Sequence, residues 1–304
     1  MSRRRTRSWP TRRSSQQAEL TGPSALPCQA LSAGYYIPFL EDTDPETRHV
    51  ISNDTAEAAA SELLAGGWCD IVGRGRVGYA LASALQDAGL HVRGPLAREA
   101  NAEGAAVVLL CVPDREIAVA SASLVPGAVV GHTSASAPLE LLVPHERFSM
   151  HPLLSVAGSD VPFTNAASAI DGSTPYAIAI ARQLAERIGM RPRTIPSEQR
   201  ALYHAAASAA SNYLTTVEGM AERLAAMVGL ERGDLMPLVE SAVANWRDRG
   251  ARAALTGPIA RGDEDTIARQ RAAVVASAPD LVPLWDALTS ATRALARSTL
   301  PQQP

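Results

Sequence analysis

The apolar run Cys69-Asp70-Ile71-Val72 has the length and β-branched content of a buried strand. It runs into Gly73-Arg74-Gly75-Arg76-Val77-Gly78. Apolar residues then recur at helical spacing until Gly89 stops them. A strand, a glycine-rich turn and a helix are expected in that order. The alternation continues. His91-Val92-Arg93 reads as a second strand, and the unbroken apolar run over 105–112 as a buried parallel strand. A short helix over 115–124, a strand over 128–132, a helix over 176–188 and a strand over 193–195 follow. Such alternation predicts a Rossmann-like, doubly wound parallel α/β sheet.

After Pro196 the apolar spacing is helical throughout. Ser197 is expected to cap a long helix reaching residue 228, with Glu198 in its first turn. A second helix spans 234–249 and stops at Gly250. Thr256-Gly257-Pro258 breaks the chain, Asp263 caps a further helix, and a last one covers 278–297. Three regions result: an N-terminal extension over 1–66 with a short helix near 56–64, a dinucleotide-binding domain over 67–196, and an all-α substrate and dimerisation domain over 197–304. The fold proper is expected to start at Gly67.

Composition narrows the function classes. The 304 residues are 46% hydrophobic with a net charge of −3, which suits a folded protein and disfavours nucleic acid as a partner. Residues 1–13 hold six arginines, but little apolar content follows, so they read as a tail. No run of about 20 apolar residues exists to span a membrane. Cys28, Cys69 and Cys111 are odd in number and lack metal spacing, which fits a reducing cytoplasm and no metal site. The chain has no lysine, and all 28 basic residues are arginine. That excludes a lysine Schiff base, a P-loop lysine and a lysine general acid.

The glycine turn carries the first chemistry. Gly73 allows a tight turn, Gly75 lets backbone approach a pyrophosphate, and Gly78 lets the helix pack close to the strand. Arg74, Arg76 and Val77 lie with them at a helix N-terminus, whose free N–H groups attract phosphate. At the end of the second strand, 93–98 reads Arg-Gly-Pro-Leu-Ala-Arg. The carboxylate that holds a ribose 2′-hydroxyl in NAD sites is missing there, whereas Arg93 and Arg98 suit a 2′-phosphate. NADP is therefore expected over NAD. Cys111-Val112-Pro113 and His132-Thr133, with Ser134 next, sit at strand carboxyl ends and are expected to line the nicotinamide and substrate region.

His204, Ser208 and Asn212 stand four residues apart and predict one polar stripe on an alanine-rich helix. Either the stripe is a seam between helices, or it is a substrate site. In the second case His204 is the general acid or base, and Ser208 and Asn212 hold the substrate oxygen. His151 is a further substrate candidate, or a packing residue of a loop. Thr256 and Arg261 belong either to a simple interhelical turn or to a carboxylate-binding site.

At these residues the chain resembles a bacterial family of oxidoreductase-like proteins with a Rossmann-like N-terminal domain and a C-terminal domain of unknown function. The likeness runs from about Trp68 to Arg297. It rests on the glycine turn, Leu109-Leu110-Cys111-Val112-Pro113-Asp114, Ser149-Met150-His151-Pro152, Tyr203-His204-Ala205-Ala206-Ala207-Ser208 and the segment 254–263. More distantly the layout is similar to ketopantoate reductases, pyrroline-5-carboxylate reductases, prephenate dehydrogenases and 3-hydroxyacid dehydrogenases. The resemblance implies NADP-linked hydride transfer to a small carbonyl or imine, such as a 2-oxo acid, in a homodimer formed through the helical domain. A helix lysine donates the proton in the ketopantoate and hydroxyacid enzymes, and this chain has none. The other reading is a non-catalytic NADP-binding sensor or assembly protein.

Overall fold

The computed structural model describes residues 52–298, apart from 159 and 160. The arginine-rich segment 1–13 and the rest of the extension up to residue 51 lie outside the described residues.

The fold starts earlier than Gly67. Helix α1, Asn53–Gly66, is capped by Ser52, whose hydroxyl accepts from the Thr55 N–H. Ala56, Ala60 and Leu64 recur every four residues and are buried on one face. That face packs on helix α4, Pro175–Arg187. Gln183 of α4 donates to the Glu57 backbone carbonyl at 2.8 Å. The apolar spacing of α1 is thus core, not tail.

Seven strands form one sheet: β1 Trp68–Val72, β2 His91–Leu96, β3 Ala105–Leu110, β4 Val129–His132, β5 Arg147–Pro152, β6 Ala167–Gly172 and β7 Arg191–Thr194, in the order β2-β1-β3-β4-β5-β6-β7. All neighbouring pairs are parallel except β5 and β6, which are antiparallel. The architecture is the expected Rossmann-like one, with a mostly parallel sheet. Helix α2, Arg76–Asp87, joins α1 and α4 in one apolar layer, where Ile71, Leu81, Leu109, Phe148 and Ile180 are fully buried. Helix α3, Ile117–Ala122, covers the other face over Val72, Leu110 and Val130. Full burial of each such side chain contributes about 1.5–3 kcal/mol. Both faces of the central strands are therefore dry, and access is left at the strand ends.

Strands β5 and β6 were not expected. Their residues, Arg-Phe-Ser-Met-His-Pro and Ala-Ser-Ala-Ile-Asp-Gly, mix polar and apolar positions because their polar faces meet a further layer rather than solvent. His151 is consequently a strand residue, not a loop residue. Between β2 and β3 the chain holds no helix, which leaves that end of the sheet open.

The helical region comprises α5 Arg200–Ser208, a π turn Ala209–Tyr213, α6 Leu214–Ala226, α7 Arg232–Ala254, α8 Gly257–Arg261, α9 Glu264–Ser277 and α10 Val282–Arg297. Ser197 does not cap the long helix. Its hydroxyl donates to Asp171 Oδ2 at 3.2 Å instead. Asp263 does cap α9, accepting from the Thr266 N–H at 3.0 Å. Gly250, at φ 76°, bends α7 where a stop was expected. Among the described residues from Arg200 onward, just Arg200, Ala225, Ile267, Val274 and Ala278 are buried. Leu202, Leu214, Met236, Leu238 and Trp246 are exposed.

Candidate nucleotide and substrate site

The glycine turn is locked by two close approaches. Gly73 has φ 121°, and a Cβ there would lie 2.3 Å from the Cys111 carbonyl oxygen. A Cβ on Gly78 would lie 1.9 Å from the Gly73 carbonyl oxygen, so α2 rests directly on the turn. Gly75 differs, since nothing stands within 4 Å of its Cβ position. It is the N-cap of α2 and provides no side-chain cap, which leaves the first N–H groups of the helix to an outside acceptor. A cleft of about 350 Å³ is lined by Gly75, Arg76, Val77, Cys111, Val112, Pro113, Thr133 and Val156. An adjoining one of about 450 Å³ is lined by Gly73, Arg74, Gly75, Arg98, Glu99, Cys111 and Glu116, among others. Together they follow the carboxyl ends of β2, β1, β3 and β4. The bare Gly75 wall beside an open helix end has the shape and polarity that a pyrophosphate requires.

The two arginines expected at the 2′-phosphate part ways. Arg93 lies opposite Asp70 in the β1–β2 pair, not at a strand end. Its Nε donates to Asp70 Oδ1 at 2.6 Å and its Nη2 to Oδ2 at 2.8 Å. The guanidinium also lies 5.6 Å from the centre of the Trp68 ring. Asp70 is 1% exposed, so Arg93 neutralises a buried carboxylate and does not line the cleft. The physical reason is strand length, since β2 continues to Leu96 and carries the true strand end to Ala97 and Arg98. Arg98 does line the cleft. Its Nη1 donates to Glu116 Oε2 at 2.6 Å, and its Nε lies 3.2 Å from Glu99 Oε1. Glu99 supplies a carboxylate in the cleft just past the window read in the sequence.

At the ends of β3 and β4, Cys111 and Thr133 form cleft wall. Burial pushes the Cys111 thiol up to about 12, which makes it a packing residue rather than a nucleophile. His132 does not form cleft wall. It is fully buried, and its Nδ1 accepts the Ser134 N–H at 3.2 Å. Burial, then the nearby Arg200 cation, lowers its pKa to about 4. Ser134 donates to Asp114 Oδ2 at 2.8 Å and accepts from the Ala137 N–H, so it holds the loop that carries it.

His151, one strand further along, joins the helical region. In β5, Ser149 and His151 point to the face that His132 shares, two residues apart. Arg200 opens α5, is 5% exposed, and donates from Nε to the Ile195 carbonyl at 3.2 Å and from Nη2 to the Ser149 hydroxyl. This anchors the long helix on the sheet. The next turn brings the Tyr203 hydroxyl to 2.7 Å from His151 Nδ1, with the two rings edge to face at 87°. Burial, then Arg200 and His204, lowers the His151 pKa to about 4. Burial raises Tyr203 to about 12, with Arg200 acting against it. At neutral pH the pair is a phenol and an uncharged imidazole.

His204 stands beside this pair, exposed, with no hydrogen bond among the described residues. Ser208 is half-buried and Asn212 is exposed. Asn212 sits in the π turn, whose i→i+5 spacing shifts the register after Ser208 and breaks the straight stripe. Such turns are frequent at functional sites. Tyr203 was not singled out in the sequence, although it adjoins His204 and follows the Ser-Met-His-Pro segment that supplies its partner. Thr256 precedes α8 and Arg261 ends it; α8 packs on α9 and α10, and the structure does not gather these two residues with His151. Among the described residues no three histidine, cysteine or carboxylate side chains come together as metal ligands.

Residues 166–292, from the start of β6 into α10, match the domain of unknown function DUF2520. No curated protein matches the chain. The fold recurs in solved structures at low identity. Protein BF3122 from Bacteroides fragilis, provisionally assigned as an NADP oxidoreductase, superposes with a TM-score of 0.66 at 20% identity, over 76% of this chain and 99% of that one. Protein TM1727 from Thermotoga maritima gives 0.63 at 23%, over 75% and 98%. The Plasmodium falciparum pyrroline carboxylate reductase, solved with NADP bound, gives 0.51 at 11%, over 77% and 99%.

Proposed function

We propose that the chain is an NADP-dependent oxidoreductase acting on a small carbonyl or imine, 2-oxo acids included. One observation carries this reading: the bare Gly75 wall at the uncapped start of α2, opening on a cleft that runs along four strand ends. The NADP found in the Plasmodium reductase of the same fold supports the choice of cofactor, as do Arg74 and Arg98 in the cleft. Gly73, Gly75, Arg76, Val77 and Gly78 would hold the pyrophosphate. Cys111, Val112, Pro113 and Thr133 would flank the nicotinamide. A bound NADPH supplies a hydride.

The chain must then supply a proton, and it has no lysine. The Tyr203 hydroxyl is the donor we assign. With hydrogen on Nδ1, His151 donates to the Tyr203 oxygen and leaves the phenol hydrogen free for the substrate. As the substrate oxygen or nitrogen takes that proton, the phenolate is held by the His151 N–H and by the Arg200 charge. It is reprotonated from Nδ1 while Nε2 takes a proton from solvent, and exchange with solvent then returns His151 to the Nδ1–H tautomer for the next turnover. His204, expected from the sequence as the donor, is exposed beside this pair and, with Asn212 and Ser208, would orient substrate.

Neither cleft is lined by His151 or Tyr203. With the exposed apolar side chains of the helices, this supports a site completed by a second copy docking on α5–α10. Sedimentation equilibrium tests that homodimer, and a monomer at micromolar concentration rules it out. A cytoplasmic location belongs to the same reading and rests on the free thiols Cys69 and Cys111. Among the described residues no helix is long and apolar enough to cross a membrane.

The test is NADPH binding by fluorescence, followed by NADPH oxidation with a panel of 2-oxo acids and cyclic imines. Tyr203→Phe should lower turnover by about 10²–10⁴-fold with NADPH affinity unchanged. His204→Ala should have the smaller effect. The incomplete cleft also favours a second reading, a nucleotide-binding sensor. Tight NADPH binding without turnover of any panel member would establish that reading in place of the enzyme.

A further inference from the structure

The 450 Å³ cleft contains an ion pair whose placement follows from the sheet order. Strand β1 lies between β2 and β3. Arg98 follows β2 and Glu116 follows β3, and neighbouring strands are about 4.8 Å apart. The 2.6 Å contact between Arg98 Nη1 and Glu116 Oε2 therefore spans the end of β1 and crosses above the glycine turn. Both residues line the cleft, and the Arg98 side chain is 58% exposed and that of Glu116 22%, so the pair bridges two parts of the cleft wall on its solvent side. Glu99 flanks it, 3.2 Å from Arg98 Nε.

We propose that the Arg98–Glu116 pair is a latch that makes the site selective for a 2′-phosphorylated dinucleotide. The inference rests on the dinucleotide reading of the cleft. In such a site the pyrophosphate sits on the glycine turn, and the ribose 2′ position faces the residues that follow β2. The adenosine thus enters between Arg98 and Glu116, and the pair opens for either cofactor. A 2′-phosphate gives Arg98 a new anionic partner in place of Glu116. A 2′-hydroxyl gives it none. Arg98 therefore opposes NAD and favours NADP through one contact. Once Arg98 is removed, Glu99 is released to accept from the ribose hydroxyls of NAD.

Two variants of the full chain separate these effects, with NADPH and NADH affinities measured by fluorescence titration. Glu116→Gln removes the latch alone. It should tighten NADPH and NADH by a similar factor of about two- to five-fold, the range of an exposed ion pair. Arg98→Gln removes latch and phosphate contact together. It should tighten NADH by about the same factor and weaken NADPH by roughly ten-fold. Opposite signs from one substitution are the signature. Both side chains reach solvent, so both variants should melt like the wild type, and Glu116→Asp should give an intermediate shift. The proposal is overturned if Glu116→Gln leaves both affinities unchanged, or if Arg98→Gln moves both cofactors the same way. Failure of the wild type to bind either cofactor removes the dinucleotide reading, and the latch with it. Tight wild-type binding with unresponsive variants removes the latch alone.

Discussion

Gly75 and Gly78 lie three residues apart in one turn, yet substitution should separate binding from stability. For Gly78→Ala the new methyl starts 1.9 Å from the Gly73 carbonyl oxygen, and ordinary contact begins at 3.4 Å, so α2 must retreat by about 1.5 Å. The obstacle is backbone, which cannot swing aside as a side chain would. Overpacking of this kind costs about 1–3 kcal/mol, and the better helix propensity of alanine offsets less than about 1 kcal/mol of it. A net loss of about 1–2 kcal/mol lowers Tm by roughly 2–8 °C in a domain of this size. For Gly75→Ala no atom lies within 4 Å of the new methyl, and the backbone at φ −88° accepts any residue. Stability should fall by about 0.5–1 kcal/mol, the difference between glycine and alanine at an N-cap, with no steric term added. The methyl nevertheless stands on the wall shared by both clefts, where pyrophosphate approaches. NADPH affinity should fall by roughly ten-fold or more. Differential scanning calorimetry and fluorescence titration on the two variants check this. Wild-type NADPH affinity in Gly75→Ala would refute the cradle, and a wild-type Tm in Gly78→Ala would refute the close approach.

Arg93→Ala should leave NADPH affinity unchanged, because Arg93 serves Asp70. It should destabilise the fold by about 2–4 kcal/mol by leaving a buried carboxylate uncompensated, which a shifted urea midpoint reports. An affinity loss without a stability loss would return Arg93 to the cleft. Stability should also depend on pH through His132 and His151. Their native pKa values of about 4 lie below the ordinary value of 6.5. As pH falls through 6.5 the unfolded chain binds protons that the folded chain refuses. Stability is therefore lost between about pH 6.5 and 4, by up to about 1.4 kcal/mol per pH unit for each histidine, and levels off below. Urea midpoints at pH 7 and pH 5 should differ by that slope, and His151→Asn should remove about half of it. Equal midpoints would contradict the buried, neutral histidines.

The glycine turn was legible because its constraints are local. Three glycines between an apolar run and a helical run specify a turn, and the approach of Gly78 to the Gly73 carbonyl falls within six residues, although the Cys111 carbonyl that Gly73 meets lies far along the chain. The fate of Arg93 was not legible. Its role depends on whether β2 stops at residue 93 or at Leu96, and on Asp70 lying opposite, a partner 23 residues away. Likewise β5 and β6 lack clean alternation because Ser149, His151 and Asp171 face the start of α5 and its preceding turn rather than water. Strand patterns read from polarity assume that a polar face is a solvated face. Where polar residues of one layer pair with polar residues of another, as Ser149 does with Arg200 and His151 with Tyr203, that assumption fails. The same failure marked the place where the helical region meets the sheet. Helix α1 was hard to read for the opposite reason, since three small or apolar residues on one face give a weak signal without the α4 face that covers them.

The missing lysine limits the proton chemistry more tightly than the histidines suggest. Arginine keeps its proton throughout the working pH range, so Arg200 acts as a fixed charge and never as a donor. Burial, and after it this fixed cation, holds both histidines neutral, which removes imidazolium as the acid near His132 and His151. The same cation stabilises an anion formed beside it, and Tyr203 becomes an anion when it gives up its proton. Arg200 therefore adds to the burial that disfavours the histidine acid and offsets part of the burial that raises the Tyr203 phenol to about 12. The Arg200 charge also makes a cationic iminium a poor neighbour for Tyr203 and a carbonyl oxygen gaining negative charge a good one. On the proposed reading, a chain without lysine draws its proton from a tyrosine poised by a histidine.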